Sequence, residues 1–404
     1  MTPAKTATRP STPVVTLHPV AIQLNDILAE LADGFKERRG ALHAILLAVL
    51  AKEHVFLLGP PGTAKTRMIV TFFSRILGAA YFETILSKNR PPEFVLGPLD
   101  IQALTDRGDM HRKINGFLPT CNFAMLDEVG KMSATLGHDL LSVVLERKLH
   151  QVNGGRSFID VPLYSFIGGS NELPTDESDD AAALWDRMLV RVLVDYLQET
   201  GNFASMLTDT LPPMAAGATI PFVDLAHVID NVIPTIRIPR DVVETVVNLR
   251  EAMRSEAITP SDRRWKQSMK LLQASAFMQG RTEVNIDDIQ VLRYTLWDTP
   301  SQIQKVERMT LSVANPLAEQ ALSLLEIAEE IAGESRKAKG LANDKKAPIG
   351  VDLNGRLRSL STDLGNVRQK ALTQGMSTTK LDEVADRVSA IKSEVRFDLL
   401  GFDS

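Results

Sequence analysis

Gly59-Pro60-Pro61-Gly62-Thr63-Ala64-Lys65-Thr66 combines the groups needed to hold a row of phosphates. In a turn of this kind the backbone N–H groups converge on an anion, and the start of the following helix adds positive partial charge. The Lys65 ammonium can reach the terminal phosphates, and the Thr66 hydroxyl is a hard oxygen ligand for Mg²⁺. The motif requires a strand before it and a helix after it. The short apolar run ending at Leu58 supplies the first and the residues from Lys65 the second. Ala64 stands where the pattern normally has its second glycine, a departure of one methyl group.

Asp127 and Glu128 follow the apolar run Phe123 to Leu126, so both carboxylates sit at the carboxyl end of a predicted buried strand, the edge at which open α/β sheets bind ligands. Asp127 would hold Mg²⁺ directly or through water. Glu128 would orient and deprotonate an attacking water. Asn171 ends the next apolar run, and its amide can fix that water against a γ-phosphate, or simply close a strand-end turn. Arg187 and Arg191, spaced i and i+4 before the last core strand, are candidates to reach a neighbouring subunit's γ-phosphate, with Arg187 preferred. Either can instead pair with Asp186 or Asp195. Arg263 follows Ser261 and Asp262, an N-cap and an acidic first turn, and is placed to meet phosphate from a lid; Arg264 reads as a solvated neighbour.

The elements that must position these residues are legible as alternating patterns. Apolar runs ending at Leu58, and at Tyr81 to Leu86, Phe123 to Leu126, Tyr164 to Ile167 and Val190 to Val194, alternate with helical or mixed segments, which predicts a parallel sheet with helices on both faces. Two insertions interrupt it. Asn153-Gly154-Gly155 within Lys148 to Val161 is a hairpin signal, and Arg107 to Pro119 reads as a hairpin or loop. From Ala226 to Asp298 helical spacing dominates, and three amphipathic helices follow, with Gly333 to Gly350 expected to be a flexible connector between the first two. The predicted division is an arm at 1–20, an α/β core at 21–225, a helical lid at 226–298 and a C-terminal helical region at 299–404.

Composition narrows the surroundings. With 45 Lys plus Arg against 50 Asp plus Glu, the net charge of −5 gives no basic excess for nucleic acid. The single cysteine, Cys121, excludes an internal disulfide and fits a reducing, cytoplasmic location. The longest apolar run, Ala41 to Ala51, is about half of the roughly 20 residues that a membrane span needs.

Together these motifs resemble the AAA+ superfamily, and Phe56 to Lys65, Gly97 to Leu104, Ser170 to Pro174, Asp186 to Leu189 and Ser261 to Trp265 resemble its MoxR group, RavA-like branch, including the alanine before the P-loop lysine. The resemblance runs from Leu24 to Asp298. It implies a homo-oligomeric, hexameric ring that binds ATP and Mg²⁺ at subunit interfaces. It further implies ATP hydrolysis driving chaperone-like remodelling or activation of a partner complex, typically one bearing a von Willebrand factor A domain. The charge balance and the mixed charges of the C-terminal helices lead to the expectation of no nucleic acid or membrane partner. Two other readings stand beside it. A nucleic-acid-associated motor would use the basic cluster Arg107, His111, Arg112 and Lys113, and a non-hydrolysing ATP-sensing scaffold would draw its support from Ala64.

Overall fold

A computed structural model of the chain describes residues 17–132, 134–152, 156–173, 185–208, 217–340, 343–374, 376 and 378–400. Most of the predicted arm at 1–20, and the Asn153 to Gly155 turn, lie outside these. The described chain forms two compact units. One holds the residues up to Ile238 together with Ser261–Val284; the other holds Pro239–Pro260 and the residues from Asn285 onward.

The first unit opens with α1 (Pro19–Gly34), which has proline in its first turn, where a missing N–H is harmless, and the His18 ring accepting from Val20 N–H at 3.2 Å. Leu24, Ile27, Leu28 and Leu31, at helical spacing, are its buried stripe. α2 (Arg39–Leu50) is buried along nearly its whole length, as its apolar run requires.

Five strands make the parallel sheet: β1 (Val55–Leu58), β3 (Tyr81–Ile85), β4 (Phe123–Asp127), β7 (Ser165–Ser170) and β8 (Val190–Leu193), in the order β3-β4-β7-β1-β8. All five fall on the predicted apolar runs. Parallel strands are not joined by tight turns, so each is followed by a crossover, and their carboxyl ends collect at one edge. In that register Leu58 stands beside Ser170, and Asp127 beside Ile85. The helices between them include α3 (Lys65–Ser74), α4 (Glu93–Leu96), α5 (Ile101–Arg107) and α6 (Ala134–Glu146). A core of Phe56, Leu126, Leu140, Val143, Phe166 and Met188, among others, packs beneath the edge.

The two insertions differ. β5 (Lys148–Val152) and β6 (Arg156–Asp160) form the antiparallel hairpin expected from Asn153-Gly154-Gly155. The stretch from Arg107 to Pro119 is a loop, folded back by one antiparallel bridge between Leu99 and Arg112 and by Lys113 N–H donating to Pro98 O at 2.7 Å. Beyond β8 come α7 (Thr200–Thr208), β9 (Ile220–Pro221), which pairs in parallel with the short β2 (Ile76–Leu77) that follows α3, and α8 (Phe222–His227).

α9 (Arg240–Ser255) belongs to the second unit, and α10 (Asp262–Met278) returns to the first. The Ser261 hydroxyl caps α10 by accepting from Arg264 N–H at 3.3 Å. In the second unit α9 packs with a 3₁₀ segment, Ile286–Tyr294, and with α11 (Ile303–Ala314). Three long helices follow: α12 (Pro316–Ala338), α13 (Asn343–Gln374) and α14 (Thr379–Val395). Leu353, Leu357, Leu360 and Leu364 of α13 and Leu381, Val384, Val388 and Ile391 of α14 are buried together with Ala321, Ala328 and Ile331 of α12. Small alanines on α12 let its neighbours approach closely. The expected flexible connector is mostly helix instead: α12 extends to Ala338 and α13 starts at Asn343, carrying Pro348 inside it. A proline this near a helix start removes one backbone donor without ending the helix. No helix among the described residues is long and apolar enough to cross a membrane.

Candidate nucleotide site

β1, β4 and β7 are neighbours in the sheet, so the residues that follow them meet at its carboxyl edge. Gly59, at the mouth of the loop, donates its N–H to Ser170 O at 3.1 Å and so ties the loop to the end of β7. A Cβ at Gly59 would collide with the carbonyl of Val194, which makes glycine obligatory there. Gly62 has a φ of 81° and Ala64 a φ of 61° with ψ of 23°, so the loop makes two left-handed residues before α3 begins. Glycine tolerates that geometry; for alanine the Cβ-to-carbonyl crowding costs about 1–2 kcal/mol. Ala64 thus keeps a left-handed conformation at the position where the sequence pattern normally has glycine.

The side chains of the sequence motifs converge. Lys65 Nζ donates to Gly59 O at 2.6 Å, to Pro60 O at 2.9 Å and to Asn171 Oδ1 at 3.2 Å. The Thr63 hydroxyl donates to Pro60 O at 3.0 Å, closing the loop on itself. Thr66 Oγ1 donates to Asp127 Oδ2 at 2.7 Å. Asn171 Nδ2 donates to Glu128 Oε1 at 2.8 Å, and Glu128 also pairs with Lys131 at 3.1 Å. Loop, acidic pair and asparagine therefore form one connected network. Burial lowers the affinity of Lys65 for its proton, and the carboxylates of Asp127 and Glu128 oppose that shift. Glu128 itself has a φ of 60°, which swings the chain out of strand geometry directly after Asp127. Backbone of this kind in a non-glycine residue costs about 1–3 kcal/mol and persists only where the surroundings enforce it.

The arginines separate. Arg187 lies half-buried in the helical turn before β8. Arg191 is only 1% exposed: its guanidinium lies over the Trp185 ring at 3.8 Å and donates to Trp185 O at 3.0 Å. Arg263 is exposed on the first turn of α10, whereas Arg264, expected on the surface, is 2% exposed and reaches Asp186 O at 3.4 Å. Helical geometry turns adjacent residues by about 100°, and the apolar stripe beginning at Trp265 takes Arg264 inward with it.

Comparison with known proteins agrees with this architecture. Residues 22–211 match the MoxR domain of the MoxR-vWA-beta-propeller ternary systems, and residues 241–310 match an AAA lid domain. Two uncharacterized proteins of Methanocaldococcus jannaschii are each 31% identical, one across 94% of this chain and 100% of its own length, the other across 90% and 94%. Chaperone MoxR1 of Mycobacterium tuberculosis is 30% identical over 28% of each chain. The crystal structure of a candidate ATPase from Cytophaga hutchinsonii shares the fold, with a TM-score of 0.56 at 16% identity over 73% of this chain and 95% of that one.

The chain belongs to the MoxR family of AAA+ ATPases. Several residues of this MoxR-family site carry no signal in the sequence. Gly169, in β7, makes room for its neighbour on β4, since a Cβ there would meet Asp127 Oδ1. Lys131 neutralises Glu128 from the following 3₁₀ turn. The Gly59–Thr66 loop also opens onto a cavity of about 1060 Å³, whose lining includes Gly62, Thr63 and Ala64 together with Phe35, Tyr196 and Phe203. That volume is just above the roughly 300–1,000 Å³ common for small-molecule pockets, so the cavity has room for a nucleoside.

Proposed function

We propose that the chain binds Mg²⁺-ATP on the Gly59–Thr66 loop, hydrolyses it, and uses the cycle for chaperone-like remodelling or activation of a partner protein complex. The observation that carries the reading is the unbroken network from Lys65 through Asn171 to Glu128, with Thr66 bonded to Asp127 beside it. Thr66 and Asp127 present adjacent hard oxygens that fit Mg²⁺, which when bound would neutralise charge on the β- and γ-phosphates. Lys65 would exchange the carbonyls of Gly59 and Pro60 for phosphate oxygens, the natural move for a partly buried ammonium. Asn171 would hold the attacking water and Glu128 would take its proton as the water oxygen bonds phosphorus and the γ-phosphate leaves ADP.

Arg187 is the proposed finger for the γ-phosphate of the next subunit, because Arg191 is committed to Trp185 inside its own core. Arg263, exposed on α10, is the proposed lid-side contact. A hexameric ring, the RavA-like branch and a von Willebrand factor A partner complete the proposal; the MoxR domain match to ternary systems containing vWA supports the last. The nucleic-acid alternative loses ground at its own cluster. Arg107 pairs with Asp109 at 3.1 Å, His111 and Lys113 with Asp100 at 3.7 Å, and Arg112 with Glu93 at 3.5 Å, so the positive charge is already answered by carboxylates.

Binding of fluorescent ATP to the native chain and to Lys65→Ala tests the site. Loss of binding with unchanged circular dichroism is expected. Tight binding retained by the variant would refute the assignment.

A further inference from the structure

The stretch from Asp195 to Thr208 leaves β8 and runs along the cavity at the phosphate loop, yet α7 within it has no buried residue. A helix without a buried face gains nothing from packing and needs another anchor. Two adjacent residues in the turn between α1 and α2 provide one. Glu37, held at a φ of 59°, accepts from Gln198 N–H at 2.8 Å, Glu199 N–H at 3.0 Å and the Asn202 amide at 3.0 Å. Its carboxylate thereby fixes the two residues that lead into α7 and the Asn202 side chain of its first turn, and lies near the positive end of the helix dipole. Arg38, itself buried, donates to Asp195 O, and the Tyr196 hydroxyl donates to Pro61 O of the phosphate loop at 3.3 Å. Burial raises the Glu37 carboxyl and the three hydrogen bonds together outweigh it, leaving the group below its ordinary range and ionised.

What this latch holds in place is an apolar face on the same cavity that Gly62, Thr63 and Ala64 line. Phe203 and Met206 border the cavity and are 48% and 45% exposed. An exposed aromatic ring and a polarizable thioether beside a phosphate loop match the flat, polarizable face of a nucleobase. We propose that residues 195–208 are a strap that closes on the base of the bound nucleotide, and that Glu37 is a positioning residue which sets nucleotide affinity by holding α7 over the cavity. The proposal rests on the nucleotide reading of the site and adds to it the element that recognises the nucleoside half. The Glu37 carboxylate bonds residues 198–202 and not the Gly59–Thr66 loop. Its loss should therefore be felt only by ligands that carry a base.

Calorimetric titration with ATP and with inorganic tripolyphosphate separates the two halves, applied to the native chain, Glu37→Ala, Glu37→Gln and Phe203→Ala. Glu37→Ala and Phe203→Ala are each expected to weaken ATP by about tenfold or more, while tripolyphosphate binds as it does to the native chain. Glu37→Gln keeps an acceptor oxygen and should recover most of the ATP affinity. Native-like ATP affinity in Glu37→Ala, or an equal loss of both ligands, overturns the strap while leaving the nucleotide site standing. A native chain that binds neither ligand overturns the nucleotide reading and the strap with it.

Discussion

His54 precedes β1 and is buried, with its ring bonded on both sides. Nδ1 accepts from Phe166 N–H at 3.1 Å, which obliges Nε2 to carry the proton and donate to Val144 O at 2.9 Å. A second proton on Nδ1 would face an N–H group. Burial, with the nearby charge of Arg147 adding to it and that of Lys270 a smaller contribution, pushes the ring pKa down to about 3. The folded value is below that of an unfolded histidine, about 6.5. Between those values the unfolded chain binds the extra proton, so the stabilisation from keeping this ring neutral is complete above pH 6.5 and is lost as pH falls toward 3. At pH 5 the loss is one and a half pH units at about 1.4 kcal/mol each, about 2 kcal/mol. Glu53, whose carboxyl is raised by burial, shifts stability the other way on acidification, so a difference measurement is needed. Urea unfolding at pH 7.5 and pH 5.0 should show a drop in the native chain about 2 kcal/mol larger than in His54→Asn. Equal drops in the two proteins, or an NMR titration of the folded His54 ring near pH 6.5, would refute the reasoning.

Ala64→Gly should stabilise the chain by about 1 kcal/mol in urea, because relief of left-handed strain exceeds the extra entropy that glycine brings to the unfolded state; a loss of stability would mean the loop is not strained there. Lys270→Met should cost about 1–2 kcal/mol, since it strips the 2.6 Å partner from the buried Glu53 carboxylate while Lys270 itself is half exposed, and Glu53→Gln should cost less; the reverse order in thermal melts would show the ion pair to be incidental. Arg187→Ala should abolish hydrolysis and spare binding, with partial rescue when its subunits are mixed with Glu128→Gln subunits. No rescue in a confirmed mixed ring would remove Arg187 from the finger role.

The sheet and the Gly59–Thr66 turn between β1 and α3 were legible because each strand is an apolar run with punctuation at its carboxyl end, and because turn chemistry is local. The network was legible only in part: Asn171 and Glu128 stand apart in sequence, and the β4-β7 pairing that joins them appears only in three dimensions. Arg264 shows the limit of reading charge as exposure, since a guanidinium among apolar helix positions follows the helix face inward. The misread connector has a similar cause. Lys, Ala and Gly between 333 and 350 look linker-like one by one, but the leucine stripe from Leu353 extends a helix back past Pro348. Nothing local marks Glu37 as the anchor of α7, because an exposed acid acquires that role only from partners far along the chain.

ATP turnover per subunit, measured across protein concentration for the native chain and for Glu128→Gln with assembly followed by light scattering, tests the central claim most directly. Turnover that rises as rings form and vanishes in the variant is the expected result. Turnover that is absent, independent of concentration, or undiminished by Glu128→Gln would contradict hydrolysis at a shared interface.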